Sequence, residues 1–256
     1  HVKPVKPLPS RKNGEQVPLV DCYMAPCKGG CPIAQDIPEY IELCKKGLYN
    51  EALKLITEKN PLPFITGTIC AHRCMGKCNR NFYDEAVQIR ATKLLAAERG
   101  YERPAPVAGK KAAIIGGGPT GIAAAYFLGR AGVACTIFER TGALGGIVRH
   151  VIPEFRISEE AIGKDIALML AYGAEVKLNT EAPSVEELKK QGYTHILYAV
   201  GAWKPGKLDI AGNVRGVIGW LEEMKAGKGG ELGHVAVVGG GNTAMDAARV
   251  AKRAGA

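Results

Sequence analysis

The 256-residue sequence has no apolar run near the roughly 20 residues that a helical membrane span requires, so no segment is expected to insert into a bilayer. It has no initiator methionine, and its opening HVKPVKPLPS lacks the apolar centre of a secretion signal, so His1 is expected to be the edge of a longer chain. No Ser/His/Asp set, no paired carboxylates for acid–base work and no CxxC redox pair is apparent. These absences turn the reading from side-chain catalysis to chemistry carried by cofactors.

What is present fits a soluble globular protein: 46% hydrophobic and 23% charged residues with 33 glycines, in a length that holds about one to three domains. The net charge of +9 suits anionic nucleotides or an acidic electron-transfer partner. Basic residues more often make a solvated face, so neither a nucleic-acid nor a membrane partner is expected.

Composition divides the chain into zones. Residues 1–20 read as a basic, proline-spaced linker, 21–105 carry most of the cysteines, 111–232 form a glycine-rich α/β zone, and 233–256 begin a second one. YERPAPVAGKK is the proline and lysine linker between the first two folded zones. In the cysteine zone, Asp36 ahead of Ile37, Pro38 and Glu39 reads as a helix N-cap with proline in the first turn. Ile37, Ile41 and Cys44, then Leu48, Ala52, Leu53 and Ile56 after Gly47, predict a helical pair, and a third helix is expected from about Glu85 to Glu98.

In the glycine-rich zone KAAIIG, ACTIFE, EVKLN and HILYAVG read as strands. The stretch from Gly121 to Gly132 and the run ISEEAIGKDIALMLAYG read as helices, the second capped by Ser158 and stopped at Gly173. This order predicts a parallel sheet with crossover helices. A weak internal repeat relates AAIIGGGPTGIAAAYFLGRAG to VAVVGGGNTAMDAARVAKRAG, so two dinucleotide-binding starts are expected on one chain.

Gly116, Gly118 and Gly121 follow an apolar strand and open a helix, and Glu139 ends the next strand. The first glycine permits the tight turn, the second lets backbone approach a pyrophosphate, and the third allows close helix and strand packing. The amides at the helix start favour phosphate, and Glu139 is placed to accept ribose hydroxyls. Downstream, TGALGGIVRHVIPEFRIS sets Gly145 and Gly146 in a second glycine turn, followed by Arg156. That arrangement resembles two-dinucleotide-domain flavoproteins, in which the second turn and the arginine face the flavin, so the first site is expected to take FAD.

Six of the eight cysteines form two short clusters, Cys22, Cys27 and Cys31 in DCYMAPCKGGCP and Cys70, Cys74 and Cys78 in CAHRCMGKC. In a cytoplasmic setting, which the nucleotide folds suggest, thiols stay reduced and metal ligation outranks a disulfide framework. Soft thiolates on closely spaced loops suit iron–sulfur clusters, and Cys31 before Pro32 fits a ferredoxin habit. Zinc is the competitor, with His72 between Cys70 and Cys74 as a further donor. Cys44 and Cys135 read as buried core thiols, and His150, His195 and His234 as surface or packing residues.

The ordered set APCKGGCPIAQDIPEYI, NPLPFITGTICAHRCMGKCN, IIGGGPTGIAAAYFL, IPEFRI and VVGGGNTAMDAARVA resembles the family of the glutamate synthase small subunit and the amino-terminal half of dihydropyrimidine dehydrogenase. Within it the likeness is greatest to flavoprotein subunits called selenate reductases. The resemblance covers residues 20 to 256 and implies an α + α/β architecture: a helical, ferredoxin-like domain with two [4Fe-4S] clusters, then a Rossmann-like two-dinucleotide-binding flavoprotein domain that is C-terminally incomplete. It further implies that Cys22, Cys27 and Cys78 hold one cluster and Cys31, Cys70 and Cys74 the other. Two positions depart from the family: its leading cysteine falls on Leu19, and a position offering glutamine or glutamate falls on Lys93. Each cluster then has three thiolates, with Asp21, His72, Gln88 or water to complete it, and lability in air is expected.

By the same resemblance Pro119, Thr120, Arg140, Ile147 and Gly201 join the FAD site. Gly239 and Gly241, with Ala244 after them, form the second fingerprint, and Asn242 and Thr243 match contacts to an NADP pyrophosphate. The residue that separates NADH from NADPH is expected beyond Ala256. The implied activity is electron transfer among NAD(P)H, FAD and [4Fe-4S] clusters, delivered to a large catalytic subunit or domain. A zinc-stapled nucleotide-binding scaffold without turnover, or an inactive fragment of the enzyme, is the alternative.

Overall fold

The computed structural model describes residues 24–82, 84–102, 110–204, 206, 210–230 and 232–256. Cys22, Leu19, Asp21 and the linker at 1–20 lie outside the described residues. The chain divides into two units, His1–Glu102 and Arg103–Ala256.

The first unit is helical: α1 (Pro26–Gly29), α2 (Ile37–Lys45), α3 (Tyr49–Thr57), α4 (Pro63–Ile69), α5 (Arg73–Gly76), a 3-10 turn at Asn79–Phe82, and α6 (Ile89–Arg99). The predicted pair is α2 and α3, joined at Gly47, whose φ of 75° permits the reversal. Ile37, Tyr40, Cys44, Ala52 and Ile56 close on Ile89 and Ala96 of α6. Each isoleucine fully buried there contributes about 1.5–3 kcal/mol. Asp36 stands at the N-cap of α2 but does not cap it with its side chain; it pairs with Lys28 at 3.0 Å. The helix expected from Glu85 begins later, at Ile89, because Val87 packs against the core instead of winding into the first turn.

The second unit holds β1 (Lys110–Ile115), α7 (Pro119–Arg130), β2 (Val133–Phe138), α8 (Gly146–His150), α9 (Glu159–Leu170), β3 (Glu175–Lys177), α10 (Val185–Lys190), β4 (His195–Tyr198), α11 (Val217–Lys225) and α12 (Asn242–Arg253). The strands run parallel in the order β3-β2-β1-β4, with Ile114 beside Ile137 on one side and Leu197 on the other. Ile114, Ile122, Ile137 and Ile162 are wholly buried between sheet and helices. Helix α7 starts at Pro119, two residues before Gly121, since proline presets the φ of a first turn. Ser158 accepts from the Ala161 amide and caps α9, and Gly173 ends the segment at φ 81°.

The stretch ahead of the second glycine turn forms no strand. Residues 235–238 carry no ladder, and Val235 and Val238 are exposed, because the described residues place no further strand beside them to share hydrogen bonds. Among the described residues no helix is long and apolar enough to cross a membrane.

Candidate functional site

The strand order makes a crevice. The chain steps from β1 to β2 to β3 in one direction and returns to β4 on the other side of β1, so the strand order reverses between β1 and β4, and open α/β sheets bind ligands at the carboxyl ends of strands at such a point. The first glycine turn sits at that point. Gly116 has φ 105°, and a β-carbon there would fall 2.5 Å from the Ala199 carbonyl oxygen beyond β4. A β-carbon on Gly121 would fall 2.0 Å from the Gly116 oxygen, so only glycine lets α7 begin so close to the strand. Gly118 meets neither obstacle: it is extended, and a β-carbon would have nothing nearer than the Gly146 Cα at 3.8 Å. The space over Gly118 is open for a ligand.

Glu139 closes the floor of the turn. It is 7% exposed, and its Oε2 accepts from the Gly117 amide at 2.7 Å. Its Oε1 accepts from the Thr141 amide and hydroxyl, each at 2.8 Å. The second glycine turn docks on the first: the Gly145 amide donates to the Gly117 carbonyl at 2.8 Å, and Gly145 and Gly146 take φ values of 125° and 52°. A β-carbon on Gly146 would come within 2.9 Å of the Gly118 Cα. Two turns 30 residues apart in sequence thus share one crevice mouth, roughly the chain distance that a strand, helix and strand consume.

The other positions of the expected FAD site are spread around it. Pro119 and Thr120 open α7 beside the turn, Thr120 exposed. Arg140 is exposed with its guanidinium 5.5 Å from the Trp203 ring centre, Gly201 has φ 72°, and Ile147 packs toward Val151 and Leu221. Arg156 is engaged elsewhere: its Nη1 donates to Asp246 Oδ1 on α12 at 2.6 Å.

The second fingerprint repeats the backbone of the first despite its missing strand. Gly239 has φ 126° where Gly116 has 105°, Gly241 is the extended N-cap where Gly118 is, and each turn opens a helix of 12 residues. Gly239, Gly241, Asn242 and Thr243 are exposed, and β-carbons on Gly240 or Gly241 would meet nothing within 4 Å. Grooves of about 350 and 590 Å³ lie away from both turns, among the segment after α8, α11 and α12.

In the helical unit the two cysteine loops lie side by side, since a β-carbon on Gly30 would touch Lys77 Cγ at 2.9 Å. Cys27 is on α1, Cys31 follows it, Cys70 caps α4, Cys74 is on α5 and Cys78 follows that. Burial pushes the Cys27 thiol up, and Cys78 adds to the effect; burial also pushes Cys74 up, reinforced by Cys31 and Cys70. Tyr40, buried between, feels Cys74, Cys31 and Cys27, and burial drives its hydroxyl well above the ordinary range. His72 is exposed with a left-handed φ of 42°. Among the described residues no three His, Cys, Asp or Glu side chains converge tightly enough for a single metal ion.

Lys93, a departure noted in the sequence, proves to be at this centre. It is 6% exposed on α6; burial lowers its ammonium from the ordinary value, while Cys70, Cys31 and Cys74 oppose that. Arg90 beside it donates to the Cys70 carbonyl at 3.1 Å. Cys44 and Cys135 are buried as expected, and His195 and His234 are exposed. His150 lies on α8, half-buried, with its Nε2 3.4 Å from the Thr141 hydroxyl. The Asp246 partner of Arg156 escaped sequence reading, and its only signal was a charged residue on the apolar side of the α12 repeat.

The family of pyridine nucleotide-disulphide oxidoreductases matches residues 110–256, and dihydropyrimidine dehydrogenase domain II with its 4Fe-4S cluster matches residues 15–104. Among curated proteins, "Putative oxidoreductase YgfK" of Escherichia coli (strain K12) is 43% identical over 97% of this chain and 25% of its own length. The "NADPH-Fe(3+) oxidoreductase subunit beta" of Geobacter sulfurreducens (strain DL-1 / KN400) is 36% identical, over 93% of this chain and 38% of its own. The "Glutamate synthase [NADPH] small chain" of Bacillus subtilis (strain 168) is 34% identical, over 72% of this chain and 39% of its own. The chain thus spans from 25% to 39% of the length of these relatives. With a parallel α/β unit built on a glycine turn and a helical unit built around cysteine loops, the chain belongs to the pyridine nucleotide-disulphide oxidoreductase family, carrying a 4Fe-4S domain of the dihydropyrimidine dehydrogenase type ahead of it.

Proposed function

We propose that the chain is the electron-transfer portion of an NAD(P)H-dependent flavin and iron–sulfur oxidoreductase that serves a larger catalytic subunit or domain in the cytoplasm. Bound at these sites, FAD would supply acceptance of a hydride from NAD(P)H, and [4Fe-4S] clusters would supply one-electron transfer onward. The observation that carries this reading is the contact of the two cysteine loops, in which a β-carbon on Gly30 would touch Lys77 Cγ at 2.9 Å, in a chain that also carries a glycine turn anchored on Glu139. By the family resemblance, Cys22, Cys27 and Cys78 serve one cluster and Cys31, Cys70 and Cys74 the other. A zinc ion requires all its sulfurs at about 2.3 Å from one point, whereas a cube sets each sulfur over its own iron.

In the second unit, the amides of Gly118, Thr120 and Gly121, at the helix start that Pro119 opens, would cradle the FAD pyrophosphate, and Glu139 would receive the adenosine ribose. Glu139 already holds the Gly117 amide, so it orients the turn as well as the ligand. Gly145, Gly146 and Ile147 border the flavin side, with Arg140 and Gly201 at the rim. Gly239, Gly241, Asn242 and Thr243 form the nicotinamide nucleotide's phosphate turn, in a Rossmann-like domain that begins near residue 233. Relatives named as a subunit beta and a small chain support a larger partner.

Anaerobic titration of the full-length protein with NADPH, and separately NADH, tests the reading. Loss of the oxidised flavin absorbance followed by low-temperature EPR signals of reduced clusters is expected. A protein that binds nucleotide but shows neither change would refute it.

A further inference from the structure

A lysine is poorly suited to a helix-packed core, yet Lys93 lies on the inward face of α6, one turn from Ile89 and on the same side as Ala96. It is 6% exposed, and among the described residues no other lysine or arginine is buried. A buried charge is paired or it is costly. Among the described residues no carboxylate forms an ion pair with its Nζ, and the opposing groups it meets most strongly are the sulfurs of Cys70, Cys31 and Cys74. Arg90, the neighbouring cation, donates to the Cys70 carbonyl instead, holding that loop against α6. Cys31 and Cys74 pack against the core that includes Ile89 and Ala96, the α6 residues on either side of Lys93, and Arg90 one turn away holds the Cys70 carbonyl, so the buried lysine stands by this thiol group.

We infer that Lys93 is the built-in counter-cation of the cluster on Cys31, Cys70 and Cys74, offsetting the negative charge of its thiolates and raising its reduction potential. The inference rests on the cluster reading above. Net charge and hydrogen bonds to sulfur are among the levers that set a cluster's potential. Reduction adds one electron to the cluster without making or breaking a bond, so a nearby fixed positive charge favours the reduced state. The same cation works the other way before loading. With the sulfurs protonated it has no compensating charge, and it weakens the empty protein.

The test uses the full-length protein, loaded anaerobically, as wild type and as Lys93→Met, Lys93→Gln and Lys93→Arg. EPR-monitored redox titration is run beside iron and sulfide analysis. At the wild-type midpoint, Met and Gln are expected to lower the reduced-to-oxidised ratio of one cluster by about tenfold or more, with Arg restoring it. The other cluster keeps its potential, and iron per chain is unchanged. Freed of metal, Lys93→Met should melt above the wild type, a reversal that a merely structural role would not give. Unchanged potentials in Met and Gln overturn the inference while leaving the clusters in place, as does loss of iron in Met, Gln and Arg alike, which would make Lys93 a ligand. Should Met fail to load, Gln against Arg decides. A wild type without iron or sulfide sinks the cluster reading and the inference with it.

Discussion

Arg156 Nη1 and Asp246 Oδ1 lie 2.6 Å apart although 90 residues separate them, tying the segment after α8 to α12. Asp246 is almost wholly buried at 8% side-chain exposure, while Arg156 keeps 27%. Removing one partner strands the other, and a partly buried pair falls between the small worth of surface bridges and the large cost of breaking buried ones. Asp246→Ala should therefore cost about 1–3 kcal/mol in urea unfolding. Asp246→Glu, which keeps the charge, should cost less.

The glycines of the first turn are predicted to separate by their surroundings. Gly121→Ala forces a β-carbon against the Gly116 carbonyl at 2.0 Å, so the variant should lose stability along with flavin. Gly118→Ala has room in the fold, with nothing closer than 3.8 Å, and occupies only the space offered to a ligand. It should melt like the wild type yet bind FAD at least about tenfold more weakly. Calorimetry and flavin titration on the pair check this.

Glu139→Ala leaves the buried Gly117 amide without an acceptor as well as freeing Thr141. A loss of about 1–3 kcal/mol is expected from the orphaned donor alone. Chemical denaturation without nucleotide isolates that part from any loss of ribose binding.

Burial pushes the Cys135 thiol up to about 11. The folded state thus holds this proton more tightly than the unfolded one, so the contribution to stability is full below the ordinary thiol value and is lost as pH rises through about 11. Near pH 8 it stays a thiol and should alkylate far more slowly than in urea-unfolded protein. Mass spectrometry of iodoacetamide-treated samples measures the difference, and Cys135→Ala should flatten the alkaline loss of stability.

Local signals made much of this legible in the sequence. The four strands announced themselves as short apolar runs, two of which, KAAIIG and HILYAVG, end in glycine, and Ser158 capped the helix it was expected to cap. Short helices were not readable from periodicity: α4 is rich in β-branched residues, and α8 follows directly on a positive-φ glycine. Helix α10 did carry a signal in Ser184 and Glu187, a capping box whose serine accepts from the Glu187 amide. What no local pattern could give was tertiary: Asp36 turning to Lys28, Arg156 turning to Asp246, and Lys93 facing sulfur. Each depends on a partner that the folded chain brings near.

That the cysteine loops hold iron–sulfur clusters in a chain that also carries a flavin unit is tested most directly by elemental analysis of anaerobically isolated full-length protein. The account predicts roughly eight iron and eight acid-labile sulfide for each set of these loops, with FAD released on denaturation. About one zinc, with neither iron nor sulfide, would contradict it.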